Sequence, residues 1–376
     1  MARGLLANGA ELHLLTINTK KHFKPDENVP ADFRKAAHYR SVYRNTDTSA
    51  AGAFANLFSS QSYFVSRFYF EEFANAISDK LKECEFDIIQ LEGLFVGVYL
   101  PLIRRHSKAK VVLRAHNIEH LIWERHIANE ASSLKKKYLQ LQNRRLKNFE
   151  VKILKEADAI VCITDADKEF IRRMGVEKPL YTCITGVDVA EYAAKDKIAS
   201  AEKTIFSFAS MDWMPNQEAV DWFLQNCWQR VKRKVPECKL VIAGRHMPER
   251  FLKMNLAGVE IIENVSSSRD FYRSQGIMLV PLLSGSGLRI KIIEGMAYGK
   301  AIVSTSVGAE GINIESGKNI LIADKADDFA DKVVFLLQHP QERKRIEMEV
   351  AKFAEENFDN SKVGAGLVKF YGSLNV

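Results

Sequence analysis

A chain of 376 residues exceeds what one hydrophobic core organises, so two domains of ordinary size are expected. Hydrophobic residues at 47% and charged residues at 27% exclude a disordered or fibrous chain, and no apolar run approaches the ~20 residues a spanning helix needs. The net charge of +7 is modest for this length, and no basic patch with interleaved stacking aromatics accompanies it, which argues against a nucleic-acid partner. The five cysteines, Cys84, Cys162, Cys183, Cys227 and Cys238, are odd in number and lack metal-ligand spacing, so they read as reduced and buried. With no succession of charged, apolar and small residues typical of a secretory signal, the expected location is the cytoplasm.

Met1 to Asn8 has the pattern of the last turns of a helix, Gly9 stops it, and Glu11 to Ile17 reads as a strand. A doubly wound domain begins one strand earlier, with that strand central, so the chain is expected to be cut ahead of its first strand. Residues 18 to 62 read as a long surface loop, and Phe64 to Cys84 as one amphipathic helix whose aromatics Phe64, Phe68 and Phe73 face a core. Strands follow at Phe86 to Leu91 and Lys108 to Ala115, with a helix at Val96 to Arg105 between them.

His116 is the first polar group after the second of these strands. In open parallel sheets the ligand crevice lies outside the carboxyl ends, so His116 is either a cap or a site residue. His116 and His120 have the spacing of a metal pair on one helical face, but no third ligand is evident and no metal is expected. From Lys135 to Lys155 eight Lys or Arg face the single acid Glu150 on a helix with an apolar stripe. Such a helix either lies on an anionic membrane, making the protein peripheral on its inner face, or packs on its own domain. Strands at Ala157 to Ile163 and Leu180 to Ile184 flank a helix capped by Thr164, and bland, alanine-rich Tyr192 to Lys203 reads as a linker with the boundary near residue 198. The second half alternates strands at 204–209, 239–243, 259–263, 277–282, 301–304 and 319–322 with helices at 216–234, 268–274, 326–338 and 342–357, the pattern of a parallel sheet covered on both faces.

The run from Pro281 to Gly299 carries the chemistry. An apolar strand ends in Ser284-Gly285-Ser286-Gly287, and from Leu288 apolar residues recur at helical spacing until Gly299. Amides and the positive dipole end at that helix start favour an anion, and Arg289 and Lys291 add charge beside it. A phosphate fits, and Glu294 about two turns on is placed to accept hydrogen bonds from a sugar attached to it. The local residues alone leave open a plain strand, turn and helix with a solvated polar face.

Gly285-Ser286-Gly287-Leu288-Arg289-Ile290-Lys291-Ile292-Ile293-Glu294-Gly295-Met296-Ala297, with Ala301 to Gly311, resembles the donor-binding segment of the retaining glycosyltransferases of family 4. Most of that family has two glutamates separated by seven residues; Glu294 matches the second, while Ser286 stands at the first, as in a branch with a Gly-Ser-Gly turn and a basic pair. The resemblance implies an α/β GT-B architecture, two Rossmann-like doubly wound domains facing a cleft: an acceptor-side domain over 1–198, a nucleotide-sugar domain over 199–357, and a terminal helix over 358–376 crossing back. The absent first strand would carry a glycine-rich loop lining the acceptor side. The catalytic group implied is His116, Arg289, Lys291 and Glu294, with His116 on the donor sugar and Glu294 on the ribose. Gly285, Ser286, Gly287, Leu288, Arg245, Gly308, Ala309 and Glu310 would bind the donor, the last three partly through the amides of Val307 to Gly311. Glu119 and Arg67 would shape the acceptor side, and Trp213 and Pro215 would either pack or border the base. The implied reaction is metal-independent hexosyl transfer with retention, from a nucleotide-diphosphate sugar co-substrate with no cofactor to a saccharide or polyprenyl-linked acceptor, in surface polysaccharide or glycan synthesis. A sugar-nucleotide epimerase of the same fold and an inactive sugar-nucleotide-binding protein are the alternatives. A Rossmann dehydrogenase would need a Gly-x-Gly-x-x-Gly turn after an early strand, which is absent.

Overall fold

The computed structural model describes residues 1–192, 203–285 and 287–375. It divides into two compact units, Met1–Ile184 with Val363–Val376, and Thr185–Lys362. Ser286 and the stretch 193–202, where the linker is expected, lie outside the described residues.

The first unit opens with α1 (Ala2–Ala7), then β1 (Leu15–Thr19) and β2 (Arg40–Arg44), which pair in parallel as a two-stranded sheet. The expected surface loop therefore contains a strand. Its polar, arginine-flanked sequence hides the alternation, because three of the five residues of β2 are exposed and none is buried. A second sheet has the order β3 (Ile88–Glu92), β4 (Lys110–Ala115), β5 (Ala159–Cys162), β6 (Leu180–Thr182), all parallel. Around it lie α2 (Glu71–Glu83), α3 (Leu100–His106), α4 (Glu119–Ala128), α5 (Ser133–Glu156) and α6 (Asp165–Arg173). Thr164 caps α6 as its sequence demands, accepting from the Asp167 amide.

The expected single helix over Phe64 to Cys84 is two, a turn at Tyr63–Ser66 and then α2. Phe70 is extended between them, because the buried Tyr99 hydroxyl accepts from its amide at 3.0 Å and donates to the Phe68 carbonyl at 2.8 Å, replacing helical partners. The helix expected from Val96 begins as a tighter 3-10 turn over Leu94–Tyr99. The apolar stripe of α5 packs on its own unit: Leu139, Leu146, Ile153 and Leu154 are buried among Phe64, Leu113 and Ile160 in its core. Any attachment of α5 to an anionic surface would then rest on its basic side chains alone. Among the described residues no helix is long and apolar enough to cross a membrane. Four of the cysteines are buried, whereas Cys84 is half-exposed.

The second unit contains β7 (Thr204–Ser210), α7 (Met214–Asn226), β8 (Lys239–Arg245), β9 (Val259–Glu263), β10 (Ile277–Val280), α8 (Ile290–Ala297), β11 (Ile302–Ser304), β12 (Leu321–Ile322), α9 (Ala326–Gln338) and α10 (Pro340–Phe358). The helix expected over 216–234 is interrupted at Cys227, after which Trp228–Lys234 continues as a separate helix. The six strands form one parallel sheet in the order β12-β11-β10-β7-β8-β9. Successive strands run outward from β7 on one side and from β10 on the other, so the order reverses between these two neighbours. A final helix, α11 (Asn360–Gly372), starts in the second unit, and its residues from Val363 belong to the first. Gly364 there lies so close to the Gly4 backbone of α1 that a Cβ would collide with it.

Candidate functional site

Loops leaving adjacent strands where a parallel sheet reverses its order diverge to opposite faces and open a crevice at the carboxyl ends. In the second unit those loops are 211–213, after β7, and 281–289, after β10. Side chains tie the two together. Lys291, in the first turn of α8, donates to Asn216 Oδ1 at 2.9 Å, and Asn216 is itself buried and donates to the Ser210 carbonyl at 2.8 Å. Arg289, the residue preceding α8, stacks its guanidinium over the Trp213 ring at 5.3 Å. Gly285 has φ of +115°, and a Cβ there would meet both Arg289 Nη2 and the Trp213 ring at 2.8 Å. The glycine is thus required twice, by its backbone angle and by the arginine packed on it. Gly287 also has positive φ, and Leu288 is half-buried.

The electrostatics differ from two plain surface charges. Burial, with Arg289 as a like-charged neighbour, pushes the Lys291 amine down to about 7. Arg289 is lowered from its usual value by burial, against the pull of Glu310, and burial raises the Glu294 carboxyl. Two cationic groups are therefore held partly desolvated beside the start of α8, an arrangement that an incoming anion relieves.

Arg245 lies at the carboxyl end of the neighbouring β8 and is exposed. In the turn after β11 several amides already have partners. The amides of Gly308, Ala309 and Glu310 are donated within the turn, to Thr305 Oγ1 at 3.0 Å, the Thr305 carbonyl at 3.1 Å and the Val307 carbonyl at 3.4 Å. Gly308 is buried against Ser304, where a Cβ would collide, and Glu310 is exposed beside this turn.

In the first unit the carboxyl ends of β3 and β4 bring together a group that sequence reading only half found. His116 Nε2 lies 2.7 Å from Glu92 Oε2, and Arg114 donates to the same oxygen at 3.2 Å. Burial acts to raise the Glu92 carboxyl, but His116 and Arg114 outweigh it and hold the group below its usual range. Glu92 directly follows the expected strand Phe86 to Leu91, as His116 follows Lys108 to Ala115, and it stands opposite Arg114 in the β3–β4 register.

His120 does not join His116. It is buried, and its Nδ1 lies 2.5 Å from Glu150 Oε2, while the Glu150 carboxylate also accepts the amides of Glu119 and His120 at 2.8 and 3.2 Å. Glu150 of the basic helix is thus an internal cap for α4 rather than part of a solvated face. Glu119 is half-buried, its carboxyl raised by burial and by the charge of Glu150. Arg67 is turned to the Thr46 carbonyl at 3.2 Å and lies over the Phe68 ring at 5.1 Å, with burial lowering it.

Comparison with known proteins bears on both units. Residues 1–191 match the family model described as Glycosyltransferase Family 4, and residues 202–339 match that of Glycosyl transferases group 1. An uncharacterized 44.6 kDa protein in the cps region of Klebsiella pneumoniae is 24% identical over 296 residues, 76% of this chain and 74% of its own. Among solved structures, sucrose-phosphate synthase from Thermosynechococcus elongatus superimposes with a TM-score of 0.67 at 14% identity, over 99% of this chain and 91% of that one. Anabaena HepE in complex with UDP gives 0.65 at 13% identity, over 96% of this chain and all (100%) of that one, and it has also been solved with UDP-glucose. These likenesses give the second unit and the first the parallel-sheet folds of the GT-B architecture.

Proposed function

Because the chain belongs to glycosyltransferase family 4 and is a glycosyltransferase, we propose that it moves a hexosyl unit, with retention, from a nucleoside diphosphate sugar to a saccharide or lipid-linked acceptor. The observation that carries this reading is the pair Arg289 and Lys291, held partly desolvated at the start of α8 and tied to Trp213 and Asn216 across the switch point of the sheet. Transfer breaks the bond between the anomeric carbon and the β-phosphate oxygen, and charge grows on that oxygen. Preorganised cations there stabilise the departing diphosphate without solvent reorganisation. Lys291, poised near 7, becomes charged as the diphosphate arrives. Glu294 suits a ribose hydroxyl, since a half-buried carboxyl raised by burial gains from a donor hydrogen bond.

Within the first unit, His116 and its partner Glu92 offer an imidazole steadied by a carboxylate, suited to a sugar hydroxyl near an oxocarbenium-like centre. The neighbours named for UDP and UDP-glucose support a uridine donor, and the cps-region relative supports polysaccharide synthesis. In this reading the two side-chain cations meet the diphosphate charge that a divalent metal meets in other folds.

The test is a panel of nucleotide sugars scored by release of nucleoside diphosphate, with and without a membrane extract as acceptor source. Acceptor-dependent release is expected, and Arg289→Ala should lower it by ~100-fold or more, the range for one lost transition-state donor. Donor conversion with no acceptor, or binding with no release, refutes the assignment, and activity of Arg289→Ala within a few-fold of the parent removes that residue from the site.

A further inference from the structure

Beyond His116 and Arg114, the Glu92 carboxylate has a third partner. Gln90, two residues earlier on β3 and so on the same face of the strand, donates from Nε2 to Glu92 Oε1 at 2.5 Å. Gln90 is anchored in turn by the Tyr371 hydroxyl, which donates to its Oε1. Tyr371 lies in the last turn of α11, a helix that packs Leu367 into one buried cluster with Val112 and Val161 of the sheet. Small residues set the depth of this helix: a Cβ at Gly364 would collide with the Gly4 backbone, and one at Gly366 with the Tyr181 hydroxyl. A line of hydrogen bonds thus runs from a tightly seated helix through Gln90 and Glu92 to His116.

We infer that Tyr371 and Gln90 are positioning residues for His116: they fix Glu92 in line with its Nε2, so that Nε2 carries the ring proton and Nδ1 is left to accept from a hydroxyl of the donor sugar. The inference rests on the place proposed above for His116 beside that sugar. Without Gln90 the carboxylate has a competing partner. Arg114 donates to Glu92 Oε2 at 3.2 Å, its Nε is buried with no partner among the described residues, and a guanidinium pairs best with both oxygens of a carboxylate at once. Gln90 occupies the second oxygen and so keeps Glu92 from turning wholly to Arg114.

A glutamine could offer that oxygen either end of its amide. The tyrosine selects the end: burial and the charge of Glu92 raise its hydroxyl, so it keeps its proton, takes the amide oxygen and turns the amide NH₂ to Glu92. On the other side of the imidazole, Gly93 has φ of +93° and no side chain to cover His116 Nδ1; a Cβ there would lie 3.9 Å from it. The His116 side chain is 42% exposed, which leaves it within reach of a ligand.

The test uses Tyr371→Phe, which keeps the packed ring, and Gln90→Leu, which breaks the line at its middle. Ring-nitrogen NMR of the histidine-labelled full chain at about pH 8.5, where an ordinary imidazole is neutral, reads which nitrogen of His116 is protonated, and the signals missing in His116→Ala identify it. The parent should show Nε2 protonated, and both variants a mixture of the two tautomers. With a donor that the parent turns over, both should lower kcat about five- to tenfold, the worth of one hydrogen bond, with donor KM unchanged. Added to His116→Ala, neither should lower it further. A parent protonated at Nδ1, or a His116 ring unaltered in both variants, overturns the relay; so does a further loss in the His116→Ala background, which makes Tyr371 and Gln90 merely structural. A ring that changes while turnover stays at the parent level, in His116→Ala as well, leaves the relay standing and removes His116 from the reaction.

Discussion

Lys291→Met is the most informative single change, because stability and donor binding should move in opposite directions. A fall in the amine from 10.5 to about 7 is worth roughly 5 kcal/mol against folding, fully present below pH 7. The sign follows from the lowered value: the unfolded chain binds the extra proton, so the penalty shrinks as pH rises through 7 and vanishes near 10.5. Methionine fills a similar volume and removes the penalty, but it leaves Asn216 Oδ1 without its donor, at a cost of about 1–3 kcal/mol. The variant should therefore be more stable at pH 6.5 by about 2–4 kcal/mol, and by pH 10, where only the stranded Asn216 remains, the difference should reverse sign. Guanidinium unfolding at a series of pH values measures this. Binding goes the other way: a diphosphate within ~4 Å of the amine gains roughly 4 kcal/mol at an effective dielectric of 20, so the variant should bind UDP at least tenfold more weakly. In the parent, calorimetry in two buffers of different ionisation enthalpy should show proton uptake on UDP binding above pH 7. A variant that is less stable than the parent at pH 6.5, or a stability difference that does not change with pH, would refute the account of Lys291.

Gly285→Ala forces a side chain into positive φ and against Arg289 and Trp213; donor affinity should fall at least tenfold while the thermal midpoint, set by a core remote from this exposed turn, moves little. Glu150→Ala strips three donors, the two amides of α4 and the His120 ring, of a buried acceptor, and should lower the unfolding free energy by about 3–5 kcal/mol in urea. His116→Ala should reduce donor turnover by 100-fold or more while leaving UDP affinity unchanged by calorimetry; equal loss in both would place His116 outside the reacting sugar.

Much of this was legible along the chain because it is local. Apolar runs of four to seven residues ended by glycine or a polar pair mark β3, β4, β7, β8 and β10 within a few residues, and Thr164 announces α6 through its own hydroxyl. The Gly-rich turn before α8 was legible for the same reason: positive φ at Gly285 and Gly287 is a property of those residues before it is one of the fold. β2 was not, since a strand largely open to solvent carries no apolar signal, nor was the break at Phe70, which depends on a hydroxyl 29 positions away in sequence.

The residues themselves determined the alternation of strands and helices, the parallel sheets it implies, and a glycine-rich turn into α8 with Arg289 and Lys291 beside it. Only the tertiary structure decided that Arg289 is buried and Lys291 half-buried, that Lys291 is answered by Asn216 and Arg289 by Trp213, that His116 has Glu92 for a partner, and that Glu150 is engaged by the amides of α4. The division has one physical cause. Backbone preference and periodicity act between neighbours in sequence, whereas desolvation and charge pairing depend on which strand ends the sheet order brings side by side.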